Sequence, residues 1–243
     1  MEEPILFISL ILEKLGLPIP APMPPTGHFW DATQILAPHV TYTFLVMLIL
    51  ILAPKLTMGK IEMIPGKGQN FWEAVVEGIE GFMAENMGRE GARMMFPMLA
   101  TFALYILVAN MMGLMPGFIS PTSNLNITLA CTLIIFVTTH ILGLKFHGVG
   151  YIKHFLGPIP WLIPLMLPIE VISHLARILS LSIRLFGNIM AKETLLGILF
   201  MLAGAYFAPL PILCLGVLVS VVQSLVFVLL SILYFSAAME HAH

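Results

Sequence analysis

Between Glu170 and Glu193, five charged side chains interrupt an otherwise apolar stretch: Glu170, Arg177, Arg184, Lys192 and Glu193. Carboxyls can relay protons, whereas an arginine stays protonated in proteins and fixes a permanent positive charge. A Lys, Arg or Asp near the centre of a membrane helix costs roughly 2.5–3.5 kcal/mol even on the lenient insertion scale, so such groups face protein or a water-filled path. Glu170, Arg177 and Arg184 are spaced by seven residues. That spacing advances a helix by about 700°, some 20° short of two turns, so the three share one broad face. Glu193 lies nine residues past Arg184, about half a turn round, and points to the other side. Along the axis, Glu170 and Glu193 stand about 21 Å and 13 Å from Arg184. Two carboxyls at different depths with a fixed cation between them suit two aqueous half-paths divided by a gate. The plainer reading is structural ion pairing. Glu170 and His174 form an i,i+4 pair, Lys192 adjoins Glu193, and Arg177 can snorkel to an interface. Arg184 is too deep to snorkel easily, so function is favoured there.

The element that positions these groups must itself lie in a membrane. Of 243 residues, 59% are hydrophobic and 10% charged, with a mean hydropathy of +0.98, against about 25% charged residues in a soluble domain. A water-soluble enzyme is thereby excluded. No charged residue falls in 32–54, 94–144 or 194–239, runs of 23, 51 and 46 residues, and one span needs roughly 20. Strand alternation of the outer-membrane barrel kind is absent. The pattern predicts an all-α integral membrane protein with five transmembrane helices in one membrane domain over 1–243. An N-terminal segment (1–34) precedes a first span at 35–56. The polar loop 57–93 turns at Pro65-Gly66. Its Phe71, Val75, Val76, Ile79, Phe82 and Met83 recur at helical spacing between Glu73, Glu77 and Glu80, which predicts an amphipathic helix on the membrane surface. Residues 94–146 cross twice, around the breaker-rich turn 116–124. The stretch 158–239 forms a long hairpin that turns near Gly204–Pro211, and its last helix is long enough to require tilt.

Loops 55–93 and 145–153 hold seven of the eleven basic residues, which makes that side cytoplasmic, with the N-terminus outside and the C-terminus inside. The N-terminal MEEPILFISLILEKLG is acidic and lacks a small-residue cleavage site, so it is expected to be retained, as a short interfacial helix. Cys131 and Cys214 lie in apolar runs and are expected to be small buried residues rather than disulfide or metal partners. His140, His147 and His154 are read as interfacial. No metal spacing, cofactor motif or P-loop is found, and a net charge of −2 gives no reason to expect nucleic acid.

Ser180-Leu-Ser-Ile-Arg184-Leu-Phe-Gly-Asn188, preceded by Glu170 and followed by Glu193, resembles the core motif of the F-type ATP synthase a subunit family. The likeness extends through Pro65-Gly-Lys67, Asn110-Met-Met-Gly-Leu-Met-Pro116, Pro121-Thr-Ser-Asn-Leu-Asn-Ile-Thr128, Gln223 and Tyr234-Phe-Ser-Ala-Ala-Met-Glu240, in the family's order. The resemblance implies a non-catalytic membrane subunit of a rotary ATP synthase in a bacterial plasma membrane. Its last two helices would lie tilted against a ring of c subunits, and the b subunits of the peripheral stalk and the rest of the complex would be its other partners. Arg184 matches the arginine that faces the ring's ion-carrying carboxylate. Glu193, Asn188 and Gln223 would line or support the outer half-channel, and Glu170 and Ser180 the cytoplasmic one, with His174, Lys192 and Arg177 as supporting groups.

Two departures stand out. The chain has Lys192 where a small residue is usual, and Gly216 where a histidine or acid is frequent. Lys192 is therefore expected to fill the volume that Gly216 leaves free and to place positive charge beside Glu193. Asn124 stands where an acid is frequent, so its loop is assigned no proton-carrying role. A self-contained secondary transporter with an intramembrane Arg/Glu site is the alternative reading. No repeat relates the halves, however, and five spans divide poorly into two. A structural scaffold does not account for five charges in one helix.

Overall fold

A computed structural model describes residues 38–59, 62–115, 118–148, 163–203 and 210–239. The expectations for the N-terminal segment, the start of the hairpin at 158–162, its turn at 204–209 and the last four residues fall outside this set. The described residues form five α-helices: α1 (Pro38–Met58), α2 (Lys67–Met112), α3 (Leu125–His147), α4 (Ile163–Ala203) and α5 (Leu210–Met239). A short 3-10 turn, Pro121–Ser123, stands between α2 and α3. Each expected span corresponds to one helix, and α1, α2, α3 and α5 are each long and apolar enough to cross a membrane. The 41 residues of α4 extend about 60 Å, twice the hydrocarbon thickness, so α4 fits a bilayer only steeply inclined or partly outside it.

α2 packs most extensively against α5, and α3 against α4. On α5 the buried residues are Gly216, Ser220, Gln223, Ser224, Phe227, Val228, Ser231, Ile232, Phe235 and Ala238, a single face at helical spacing. Half of them are Gly, Ala or Ser, which lets helix backbones approach closely where lipid offers no hydrophobic contrast. Ser224 Oγ donates to the Ala103 carbonyl of α2 at 2.7 Å, and Phe102 meets Phe227 with ring centroids 5.9 Å apart. Large apolar side chains point outward along every span, among them Phe44, Ile51, Val137, Ile172, Leu218 and Leu233. That is the expected surface of a bundle solvated by hydrocarbon. It also corrects the reading of Cys214, which is exposed on α5 whereas Cys131 is buried. In lipid an apolar run has no polar side, so hydropathy cannot tell which residues face inward.

The surface helix and the second span follow one another across a kink. Both lie in α2, joined at Gly88, whose φ of 76° and ψ of 162° are non-helical. Charge ends at Arg93, which puts the boundary expected from sequence at 93/94. The joint falls earlier because Gly88 adopts a conformation essentially confined to glycine, so Arg89, Glu90 and Arg93 occupy the first turns of the span. The surface segment is tied down at its N-terminal end. Trp72 Nε1 donates to Thr57 Oγ1 at 2.8 Å, and Gln69 exchanges two 3.1 Å hydrogen bonds with the Glu62 backbone. Of the apolar stripe, Met83 is buried in the core while Phe71 and Val76 stay exposed, available to a membrane surface.

Gly88→Val is expected to destabilise the protein by about 1–3 kcal/mol, seen as a lower unfolding midpoint in detergent. Gly81→Ala, at an unstrained and open helical position, is expected to leave it unchanged or raise it.

Candidate functional site

α4 has two faces of opposite character. Leu181, Ser182, Leu185, Ile189, Lys192 and Leu196 are buried and recur at helical spacing, anchoring the helix to α3, α5 and the 3-10 turn. Arg177, Ser180, Arg184 and Asn188 are all exposed. Their spacings of three and four residues stack them into one polar stripe. Arg184 sits near the middle of α4, about 30 Å of helix from either end. Among the described residues it has no carboxylate partner within ion-pair distance; the ion-pair contact found there is His174 Nε2 to Glu170 Oε1 at 3.3 Å. The i,i+4 pairing read from sequence is thus present. Arg177 lies over the Tyr234 ring of α5, 5.5 Å from its centroid, so its charge is met by an aromatic face.

Glu193 points away from that stripe, as its half-turn offset requires. Its Oε1 accepts a hydrogen bond from the Ser120 backbone N–H at 2.9 Å. A Cβ on Gly113 would come within 2.8 Å of that oxygen, so the absence of a side chain at Gly113 makes room for the carboxylate. Lys192, one residue earlier, is buried and reaches elsewhere: its Nζ donates to the Asn110 carbonyl at 3.0 Å. The two neighbours form no ion pair within 4.0 Å, contrary to the pairing that adjacency suggested.

The reason lies at the end of α2, whose last four carbonyls lack intrahelical partners. Ala109 receives the Ser120 hydroxyl at 2.9 Å, Asn110 receives Lys192, and Met111 and Met112 receive the Leu114 and Met115 N–H groups at 3.1 Å. Lys192 is thus a cation at a helix C-terminus, where the helix dipole favours it. The expected packing on Gly216 is present: a Cβ there would lie 3.2 Å from Lys192 Cδ and 2.5 Å from Leu114 Cδ2. Ser120 Oγ is 2.7 Å from Thr122 Oγ1, which in turn donates to Asn110 Oδ1. One polar cluster therefore holds Glu193 and Lys192 from opposite ends. Asn124 takes no part in it; its side chain caps α3 by accepting the Asn126 N–H at 2.9 Å.

Asn188 Nδ2 donates to Gln223 Oε1 at 2.7 Å, linking the polar stripe of α4 to the buried face of α5. Gln223 Nε2 and Asn110 Nδ2 are buried without a protein partner. The structure thus brings together Asn188 with Gln223, Glu170 with His174, and Arg177 with Tyr234, and it leaves Ser180 and Arg184 outward. Sequence reasoning missed Gly113, Ser120 and Thr122. They sit in or beside an uncharged turn, and only the return of α4 past that turn gives them a role. His140, within α3, is half-buried, with its ring 5.0 Å from that of His174, a contact that sequence reasoning did not supply. Among the described residues no cluster of three or more His, Cys, Asp or Glu side chains could hold a metal.

Fold and site define a polytopic helical membrane protein whose charged groups at membrane depth are concentrated in one long helix. The family model described as ATP synthase A chain matches residues 40–236. ATP synthase subunit a of Desulfotalea psychrophila is 64% identical over 243 residues, covering all of both chains. The subunits a of Syntrophobacter fumaroxidans and Desulfosudis oleivorans are 53% and 50% identical over the same full length. The chain belongs to the ATP synthase A chain family, as a membrane subunit rather than a catalytic one.

Gly113→Val should collide with the Glu193 carboxylate and the Ser120 backbone. Overpacking of this kind costs about 1–3 kcal/mol, measurable as a lowered unfolding midpoint. Gly187→Ala, open on the outer face of α4, is the control that should keep wild-type stability.

Proposed function

We propose that this chain is the ion-translocating stator subunit of an F-type ATP synthase, and that Arg184 divides two offset half-channels for protons. The observation that carries this reading is Arg184 itself: a permanent cation, exposed at mid-helix, without a carboxylate partner among the described residues. A partner must supply the counter-charge, and the ion-carrying carboxylates of a c-subunit ring are the group of the right sign and depth. As each ring carboxylate passes, the guanidinium favours its ionised form. The proton therefore leaves into one half-channel, and the site reloads from the other. The ring turns instead of leaking.

Glu193, Asn188 and Gln223 line the outer half-channel, with Lys192 placing positive charge beside it. Glu170 and Ser180 line the cytoplasmic half-channel, with His174 and Arg177 as supporting groups. The partnerless amide groups of Asn110 and Gln223 support a hydrated outer path, since buried amides are normally satisfied by protein or ordered water. Orientation rests on the basic loops: the N-terminus lies outside and the C-terminus in the cytoplasm of a bacterial plasma membrane. The exposed apolar faces of α4 and α5 are available to the ring, and the b subunits of the peripheral stalk hold the chain against rotation.

In reconstituted complexes Arg184→Ala is expected to abolish ATP-driven proton pumping, while the detached catalytic sector keeps its hydrolysis. Normal coupled pumping by the variant would overturn the reading, and varying sodium against pH in the same assay identifies the ion. Lys192→Gly is expected to shift the pH dependence of proton-driven ATP synthesis; a superimposable profile would remove Lys192 from the path.

A further inference from the structure

A second cluster of titratable groups lies apart from Arg184 and Glu193. His140 of α3 and His174 of α4 stand edge to face, with ring centroids 5.0 Å apart. His174 Nε2 is 3.3 Å from Glu170 Oε1. His140 Nδ1 is 2.9 Å from the Phe136 carbonyl. A carbonyl only accepts, so that contact makes Nδ1 the protonated nitrogen and leaves Nε2 as the basic one. Both rings line one cavity between α3, α4 and α5, which continues to Arg177, Leu181 and Tyr234. His174 to Leu181 is two turns, about 10 Å along α4, so the cavity climbs from the level of the imidazoles to one turn short of Arg184. The charged and titratable groups facing the pair are Glu170 and Arg177 from α4 and Tyr234 from α5.

We propose that His140 and His174 form a proton-exchange station in the cytoplasmic half-path, between Glu170 and the cavity that ends one turn short of Arg184. A proton arriving on Glu170 passes from its carboxyl oxygen to His174 Nε2; the O–H bond breaks as the N–H bond forms, leaving a carboxylate and an imidazolium. His174 then passes a proton to His140, directly or through one water, and the imidazolium releases it into the cavity. The reverse sequence serves pumping. No group other than protons and water is consumed. An imidazole suits the task because its ordinary pKa lies near neutrality, so it takes and returns a proton at low cost in either direction. The proposal rests on the half-channel reading above and adds a carrier to it.

The test uses whole complexes in inverted membrane vesicles, with the cytoplasmic face outward, and reads ATP-driven acidification per ATP hydrolysed together with proton-driven ATP synthesis. His140→Ala and His140→Gln should both lose severalfold in proton-limited rate at equal complex content. Added imidazole should restore the His140→Ala variant in a saturable way. Pyrazole, a ring of the same size that does not protonate near neutrality, should not. Wild-type rates in both variants would overturn the proposal. So would a loss in His140→Ala that His140→Gln repairs, or that pyrazole rescues equally, since each marks a space-filling role. Arg184→Ala, run in parallel, separates the two claims. If it pumps normally, the half-channel reading falls. If it fails while the histidine variants behave as wild type, the exchange station alone is wrong.

Discussion

A guanidinium cannot discharge itself. Its pKa lies far above any physiological pH, so in a low-dielectric environment it must reach water, a carboxylate or an aromatic face, or else be held there at considerable cost. Arg177 and Arg184 show two solutions on one helix. Arg177 lies across the Tyr234 ring. Arg184, midway along α4, has nothing of the kind within the described residues. The opposite side of α4 is correspondingly apolar and tightly held, with Leu181, Leu185, Ile189 and Leu196 buried. That packing pins the register and turns the stripe Arg177–Ser180–Arg184–Asn188 outward, toward whatever completes it.

The second constraint is the unsatisfied end of α2. Terminal carbonyls within a membrane cannot be left to solvent, and four different donors meet them: a serine hydroxyl, a lysine ammonium and two backbone N–H groups. Using Lys192 for this purpose draws its charge into the interior, while Ser120 draws the Glu193 carboxylate into the same cluster. A structural requirement of one helix end thus fixes two charges of another helix. Gly113 and Gly216 are glycines for the corresponding reason: one leaves room for the carboxylate, the other for the lysine stem and Leu114.

Much of this was legible beforehand because it depends on local geometry. Helical periodicity gave the shared face of Arg177 and Arg184 and the opposed direction of Glu193; the i,i+4 rule gave Glu170–His174. The volume complementarity of Lys192 and Gly216 followed from two departures at once: a long side chain where a small one is usual and none where a larger one is. The failures share one cause. Adjacency offers Lys192 as a possible partner for Glu193, yet each bonds to a segment more than 70 positions away. Cys214 looks buried from its apolar run yet is exposed, because hydropathy reports depth in the membrane, not which neighbour a side chain meets.

The sequence by itself determined the class, the five apolar helices and the presence of a charged helix. Composition and 3.6-residue periodicity act within a segment and need no knowledge of its neighbours. The tertiary structure alone decided which charge each group meets. It seated Glu193 on the turn after α2, spent Lys192 on a helix end, set His140 against His174 and left Arg184 facing outward. Those outcomes follow from how α2, α3 and α5 stack against α4. In a bilayer that stacking is governed by close packing and interhelical hydrogen bonds, for which an evenly apolar sequence carries almost no local signal.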